Sequence, residues 1–416
     1  MTRRRKVWIG AATLAVLALF LVPTCAPPPL DSAAYVQAVT ATEAVIARWT
    51  ASPRQLGLVV RKDGKDVFAA AAGIPRTHHE LRATGLMAAT RYEFALRDED
   101  GTEVERGSFV TRSEDDRHPV HFAVFGDSGG QPWWVEIHGS PLMRLLHAHR
   151  WLPIESAPAA VGALLVAEAP DFALHVGDVV YPRGELQHYH AGFFRPFGEF
   201  ARTRPIYAVF GNHDVMTGDG EAFRQVFAVP ADDPGEHCFS FRDGPLRVIG
   251  LDLNGEVDAQ HRSIRFLRRA LETAEEPWIL VYSHYPLRSV YRASPRPDLL
   301  AHYGPLCREF GVDLICAGHD HNYQRYGRPG ETIEVVSGGG GKSLYEINQR
   351  PDGLEVAEIA FHASFVRIDG LTLRFVAKAI DGRTLDEFTI DKAAQLRDGT
   401  AKGNPARLQR MRRLVN

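Results

Sequence analysis

Five short polar clusters recur along this 416-residue chain, each directly after an apolar run. Gly126-Asp127-Ser128-Gly129 follows Phe125, and Gly177-Asp178-Val179-Val180-Tyr181 follows Val176. Gly211-Asn212-His213-Asp214 follows Phe210, Ser283-His284 follows Tyr282, and Gly318-His319-Asp320-His321 follows Ala317. Sites in open α/β sheets form beyond the carboxyl ends of strands, so these clusters are expected on converging loops. Two Asp, one Asn, three His and one Tyr make a hard, mixed oxygen and nitrogen donor set. Such a set suits Fe, Zn or Mn and excludes thiolate chemistry. Seven donors are too many for one tetrahedral ion and fit two ions sharing a carboxylate. Paired metals about 3.5–4 Å apart are a common device for in-line attack on phosphate.

The elements that must carry these clusters are visible from residue 120 onward. Apolar runs at His121 to Phe125, Phe172 to Val176, Ile206 to Phe210, Leu246 to Leu251, Ile279 to Tyr282 and Val312 to Cys316 read as strands. Ala159 to Glu168, His261 to Ala274 and Asp298 to Phe310 read as helices, giving an α/β layered core. After the glycine run Ser337 to Gly341, residues 363–390 alternate again and turn at Asp369-Gly370 and Asp381-Gly382. The basic tail from Ala393 to Asn416 reads as a solvated or frayed helix. Upstream, residues 34–113 alternate like a β-sandwich. Asp63-Gly64 marks a tight turn, and Ser113 to Pro119 is a charged linker. The stretch Leu86 to Phe94 resembles the tyrosine corner of a fibronectin type III-like domain, with Tyr92 bonding back to backbone near Leu86.

Composition narrows the function class. With 45% hydrophobic and 24% charged residues, disorder and a disulfide scaffold are excluded. Lys plus Arg is 48 against 51 Asp plus Glu, a net charge of −3. That lacks the basic surplus of general nucleic-acid binding, so none is expected.

Taken together, the five clusters resemble the motifs of the purple acid phosphatases, within the calcineurin-like metallophosphoesterase superfamily. That pattern is Gly-Asp-x-Gly, Gly-Asp-x-x-Tyr, Gly-Asn-His-(Asp/Glu), Val-x-x-His and Gly-His-x-His, with Val281 and His284 supplying the fourth. Most of the superfamily has Asp-x-His in the first motif. Here Ser128-Gly129 follow Asp127 and Tyr181 stands three residues after Asp178, as in the purple branch. The resemblance spans residues 34 to 391. It implies a fibronectin type III-like sandwich followed by a layered αββα metallophosphoesterase domain.

The resemblance also implies roles. Asp127, Tyr181 and His321 would bind Fe(III); Asn212, His284 and His319 would bind a divalent Zn, Fe or Mn; Asp178 would bridge both. The implied reaction is hydrolysis of phosphomonoesters by a hydroxide on this dinuclear centre, with His213 as phosphate binder or proton donor. Asp214 is expected to partner His213, and Asn322, Tyr323 and Arg325 to support the ligands from behind. The family's further pocket His after the fourth motif is absent; Tyr285, Arg288, Tyr291 and Arg292 occupy that loop, where an Arg could bind phosphate or simply be solvated. A metal-dependent phosphodiesterase and a non-catalytic exported binding protein are the alternatives.

The first thirty residues read as an export segment outside the fold. Arg3 to Lys6 form a positive start, and Val7 to Val22 is apolar but shorter than the about 20 residues of a spanning helix. Cys25 then stands where a bacterial lipoprotein carries its lipid. A periplasmic, secreted or membrane-anchored location is expected. Cys238, Cys307 and Cys316 remain, an odd number that leaves at least one unpaired, and Cys316 reads as a buried strand residue.

Overall fold

The structure is a computed structural model that describes residues 29–129, 157–230, 238–291 and 296–415. The expected export segment with Cys25, and Arg292, lie outside the described residues.

Residues 35–110 fold into two antiparallel sheets. Tyr35–Gln37, Ala44–Arg54 and Arg76–Ala83 form a three-stranded sheet, and Lys65–Ala70, Gly57–Lys62, Arg91–Arg97 and Glu103–Val110 a four-stranded one. Val36, Ile46, Leu58, Val60, Phe94 and Leu96 fill the space between them. Asp63 and Gly64 turn with φ of 51° and 74°, the left-handed pair that a two-residue hairpin requires. Tyr92 Oη accepts a hydrogen bond from the Met87 N–H at 2.8 Å, the backbone contact expected of that tyrosine.

Two larger sheets follow. In the first, the spatial order is Ile206–Ala208, Phe172–His175, Val120–Phe125, His362–Asp369, Thr372–Ala379 and Thr384–Asp391. In the second it is Phe239–Asp243, Leu246–Gly250, Trp278–Tyr282, Leu314–Ala317, Ile333–Ser337, Tyr323–Tyr326 and Leu354–Glu358. Phe122, Phe172, Tyr207, Phe241, Leu280, Val335 and Phe375 pack between the sheets. The helices Ala157–Glu168 and Arg195–Ala201 cover the outer face of the first sheet. Arg262–Thr273 and Pro297–Glu309 cover the second. The layers are helix, sheet, sheet, helix, and each expected strand and helix in this region is present to within a few residues.

The central strands are parallel within each sheet. Their carboxyl ends therefore point one way, and the loops beyond them meet across the sheet interface: the His319 N–H donates to Asp127 Oδ2 at 3.0 Å, and His284 Nδ1 to the Val176 carbonyl at 2.9 Å.

The tail departs from the expected solvated helix. Lys392–Arg397 and Pro405–Val415 are helical, and Arg407 is only 1% exposed. Its guanidinium meets Asp313 at 2.7 Å and donates to the Gly311 carbonyl at 2.7 Å. Lys392 pairs with the same carboxylate at 2.7 Å. A half-buried anion, Asp313, at the base of the Leu314–Ala317 strand draws the basic residues inward. The linker is also held at its start: the Ser113 N–H donates to Asp243 Oδ1 at 2.8 Å, beside Arg112, which pairs with the same buried carboxylate at 3.1 Å. Cys238, Cys307 and Cys316 are all free and buried, Cys316 within its strand.

Candidate metal centre

The loops after the five strands bring the seven expected donors into two adjoining groups. In the first, Tyr181 Oη lies 3.0 Å from Asp178 Oδ2, 3.2 Å from His321 Nε2 and 3.4 Å from Asp127 Oδ1. Donor atoms of Asp127, Asp178 and His321 all fall within 4.8 Å of one another, close enough to hold one ion. In the second, Asn212 Oδ1 is 3.1 Å from both His284 Nε2 and His319 Nδ1, and those nitrogens are 3.2 Å apart. Asp178 stands between the groups, with its Oδ1 3.6 Å from His284 Nε2. The first group is buried, while Asn212, His213 and His319 are half-exposed, so a ligand from solvent meets the second group first.

Backbone strain accompanies this geometry. Asp127, Asp178 and His319 hold φ of 55°, 54° and 68°, a region that costs a non-glycine residue about 1 kcal/mol or more. Surrounding contacts hold them there. The Asp127 N–H donates to the Gly177 carbonyl at 3.0 Å, and the Gly318 N–H to the His284 carbonyl at 2.9 Å.

The histidines are oriented for coordination. His284 and His321 use Nδ1 on backbone carbonyls, at 2.9 Å to Val176 and 2.7 Å to Ser343, which aims each Nε2 inward. Burial and the neighbouring His284 hold His319 down to about 3, leaving a neutral imidazole. Burial, reinforced by Asp178 and Asp127, pushes the Tyr181 phenol up. Burial works against a charged His284, but Asp178 and Asp127 outweigh it and raise its pKa.

His213 flanks the Tyr181 ring at 4.5 Å. Its Nδ1 donates to the Pro182 carbonyl at 2.6 Å, and its Nε2 faces Asp178 Oδ2 at 3.9 Å. Asp214 is not its partner. That buried carboxylate instead accepts the N–H groups of Asp178, Val179 and Gly211 at 2.8, 3.0 and 2.8 Å, tying together two ligand-bearing loops. Burial, with the charge of Asp178, pushes Asp214 up to about 8 despite those amides.

Two other expectations are corrected. Tyr323 and Arg325 turn away from the donors to Asp386, at 2.7 and 2.5 Å, because strand alternation sends them between the sheets. Arg288 pairs with buried Glu334 at 3.3 Å and lies over Tyr326, which takes it away from both phosphate binding and free solvation. Asn322 accepts from Gln324 at 2.8 Å and donates to the Tyr345 carbonyl at 3.5 Å, so it props the loop whose Tyr345 ring lies on His321. Tyr285 packs on His319 at 4.8 Å, and Tyr291 on Tyr345 at 4.8 Å.

Two residues near the donors carry no motif signal. Tyr345 stacks on His321 with ring centres 4.0 Å apart, and Lys342 lies over Tyr181 at 5.0 Å. Only the glycine run before Lys342 hinted at a special loop.

Residues 120–323 match the family described as calcineurin-like phosphoesterase. The tartrate-resistant acid phosphatase type 5 of Mus musculus is 34% identical over 256 residues, covering 51% of this chain and 78% of that protein. An Arabidopsis thaliana protein called "Probable inactive purple acid phosphatase 1" is 25% identical over 266 residues, 53% of this chain and 43% of that one. This chain thus spans less than half that plant protein's length. A purple acid phosphatase from yellow lupin (Lupinus luteus) seeds shares the fold, with a TM-score of 0.70 at 20% identity over 87% of this chain and 75% of its own. Sequence and fold agree that the chain belongs to the calcineurin-like metallophosphoesterases, with purple acid phosphatases among its relatives and structural neighbours.

Proposed function

We propose that this protein hydrolyses phosphomonoesters at a pair of metal ions, in the manner of a purple acid phosphatase. Asp127, Tyr181 and His321 would hold Fe(III), whose hardness suits phenolate and carboxylate. Asn212, His284 and His319 would hold a divalent Zn, Fe or Mn. The observation that carries this reading is Asp178, whose two oxygens face the two donor groups separately, at 3.0 Å to Tyr181 and 3.6 Å to His284. The donor set fits such ions, because the Nε2 atoms of His284 and His321 are freed by carbonyl contacts on the other ring nitrogen, while His319 faces the second group through Nδ1.

When bound, the metal pair supplies an activated water and neutralises the phosphate oxygens. The protein's own groups do the rest. Asp214 holds the backbone of the Asp178 and Asn212 loops together. His213, fixed through Nδ1 and part-exposed, with Nε2 on the Asp178 side, donates a proton to the leaving alkoxide. The sandwich of residues 35–110, with its three- and four-stranded sheets and Tyr92 contact, supports the fibronectin type III-like reading. The export reading rests on the sequence alone, and fractionation showing an intact cytoplasmic chain would refute it.

The test is hydrolysis of nitrophenyl phosphate by protein supplied with iron and a divalent metal, compared with bis-nitrophenyl phosphate. Monoester turnover that Asp178→Asn abolishes is expected. No turnover of either ester with metals bound would sink the reading, and a preference for the diester would favour the phosphodiesterase.

A further inference from the structure

The loop after the glycine run carries a lysine that no motif accounts for. Lys342 is 7% exposed, deep for an ammonium group. Its Nζ lies over the Tyr181 ring, 5.0 Å from the ring centre. Two backbone contacts fix its place against the first donor group. The Lys342 N–H donates to the Asp127 carbonyl at 2.9 Å, and the carbonyl of the next residue, Ser343, accepts from His321 at 2.7 Å.

The preceding glycines leave no room for side chains. A Cβ on Gly340 would stand 2.3 Å from the Gly126 carbonyl oxygen. One on Gly341, at φ +154°, would stand 2.6 Å from that of Ser128. Position 342 is where this tightly threaded loop can first present a side chain. His213 packs against the same tyrosine at 4.5 Å, so Lys342 and His213 both border Tyr181.

We propose that Lys342 binds a non-bridging phosphate oxygen of the substrate and so selects monoesters over diesters. The inference rests on the reaction proposed above and adds a specificity-determining residue to that site. A monoester phosphate carries up to two negative charges where a diester carries one, so an added ammonium favours the monoester. The contact is a charge-assisted N–H···O hydrogen bond, with no covalent step. A lysine that only steadied the Tyr181 ring would change metal retention or folding, and leave phosphate affinity at full metal load untouched.

The experiment measures binding of inorganic phosphate to the metal-loaded full chain by calorimetry. Wild type, Lys342→Met, Lys342→Gln and Lys342→Arg are compared, with metal content and thermal unfolding recorded beside each. The glutamine variant keeps a polar tip if the methionine disturbs the loop. The expected result is a phosphate Kd raised about tenfold or more in the neutral variants at unchanged metal content, with Arg restoring most of it. The kcat/KM ratio of nitrophenyl phosphate to bis-nitrophenyl phosphate should fall by a similar factor. Unchanged phosphate affinity in a fully loaded neutral variant, or a loss traced entirely to missing metal, overturns the role of Lys342 alone. A wild type that holds both metals yet neither binds phosphate nor hydrolyses monoesters overturns the reaction as well.

Discussion

His213 and Asp214 are neighbours in sequence with opposite duties, and substitutions should separate them. His213→Ala removes a ring anchored on the Pro182 carbonyl but no donor of either group. Both metals should stay bound while kcat falls by roughly 10²–10⁴, as metal analysis beside steady-state kinetics would check. Asp214→Ala leaves three buried N–H groups without their acceptor, each costing about 1–3 kcal/mol. Loss of stability and of metal affinity together is expected, read by denaturant titration and metal competition. The seven candidate donors that the structure groups were legible, because each sits in a short cluster after an apolar run. Asp214 was misassigned because adjacency in sequence suggested a partner, whereas its side chain turns back to amides of two loops. Lys342 and Tyr345 escaped because a lone lysine or tyrosine has no spacing signature. They reach the site through strand order, the strand Ile333–Ser337 lying beside Leu314–Ala317.

Strands buried on both faces read as continuous apolar runs, which is why Val120–Phe125, Phe172–His175 and Trp278–Tyr282 could be placed from sequence. Tyr323–Tyr326 and Leu354–Glu358 could not, since the first buries polar residues such as Gln324 and the second is a partly buried edge strand. The tail shows the same limit from the other direction. Its charge suggested solvent, and nothing local reveals that Asp313 lies beneath it. Arg407 spreads its donors over the Asp313 carboxylate and the carbonyls of Pro277, Phe310 and Gly311. Arg407→Ala should therefore destabilise the protein by about 1–3 kcal/mol, since buried carbonyls lose their donor while Lys392 still pairs with Asp313, seen as a lower denaturation midpoint. A change under about 0.5 kcal/mol would mean that the tail is an appendage.

The β-sandwich and the catalytic layers pack as one unit, and the joint is polar as well as apolar. Gln37 donates to the Val226 carbonyl at 2.7 Å and accepts from the Ala228 N–H at 2.6 Å, beside Tyr35 and Trp49 packed with the cluster of Phe193 and Phe194. Stability of the whole should also depend on acid. Burial holds His362 and His121 down to about 4, against about 6.5 in the unfolded chain. The unfolded state then binds more protons at these two histidines between those values, so the stability they contribute is full above about pH 6.5 and is lost as pH falls towards 4. For fully buried His362 that loss approaches about 3 kcal/mol. In metal-free protein the wild-type denaturant midpoint should fall more on acidification than that of His362→Gln, and equal slopes would contradict this. The central claim, two ions joined through Asp178 with Tyr181 on the ferric one, is tested most directly by metal content and absorption spectrum together. Protein loaded with iron under oxidising conditions and a divalent metal should hold two ions per chain and show a visible tyrosinate-to-iron band that Tyr181→Phe removes. One ion per chain, or active iron-loaded protein without that band, would contradict it.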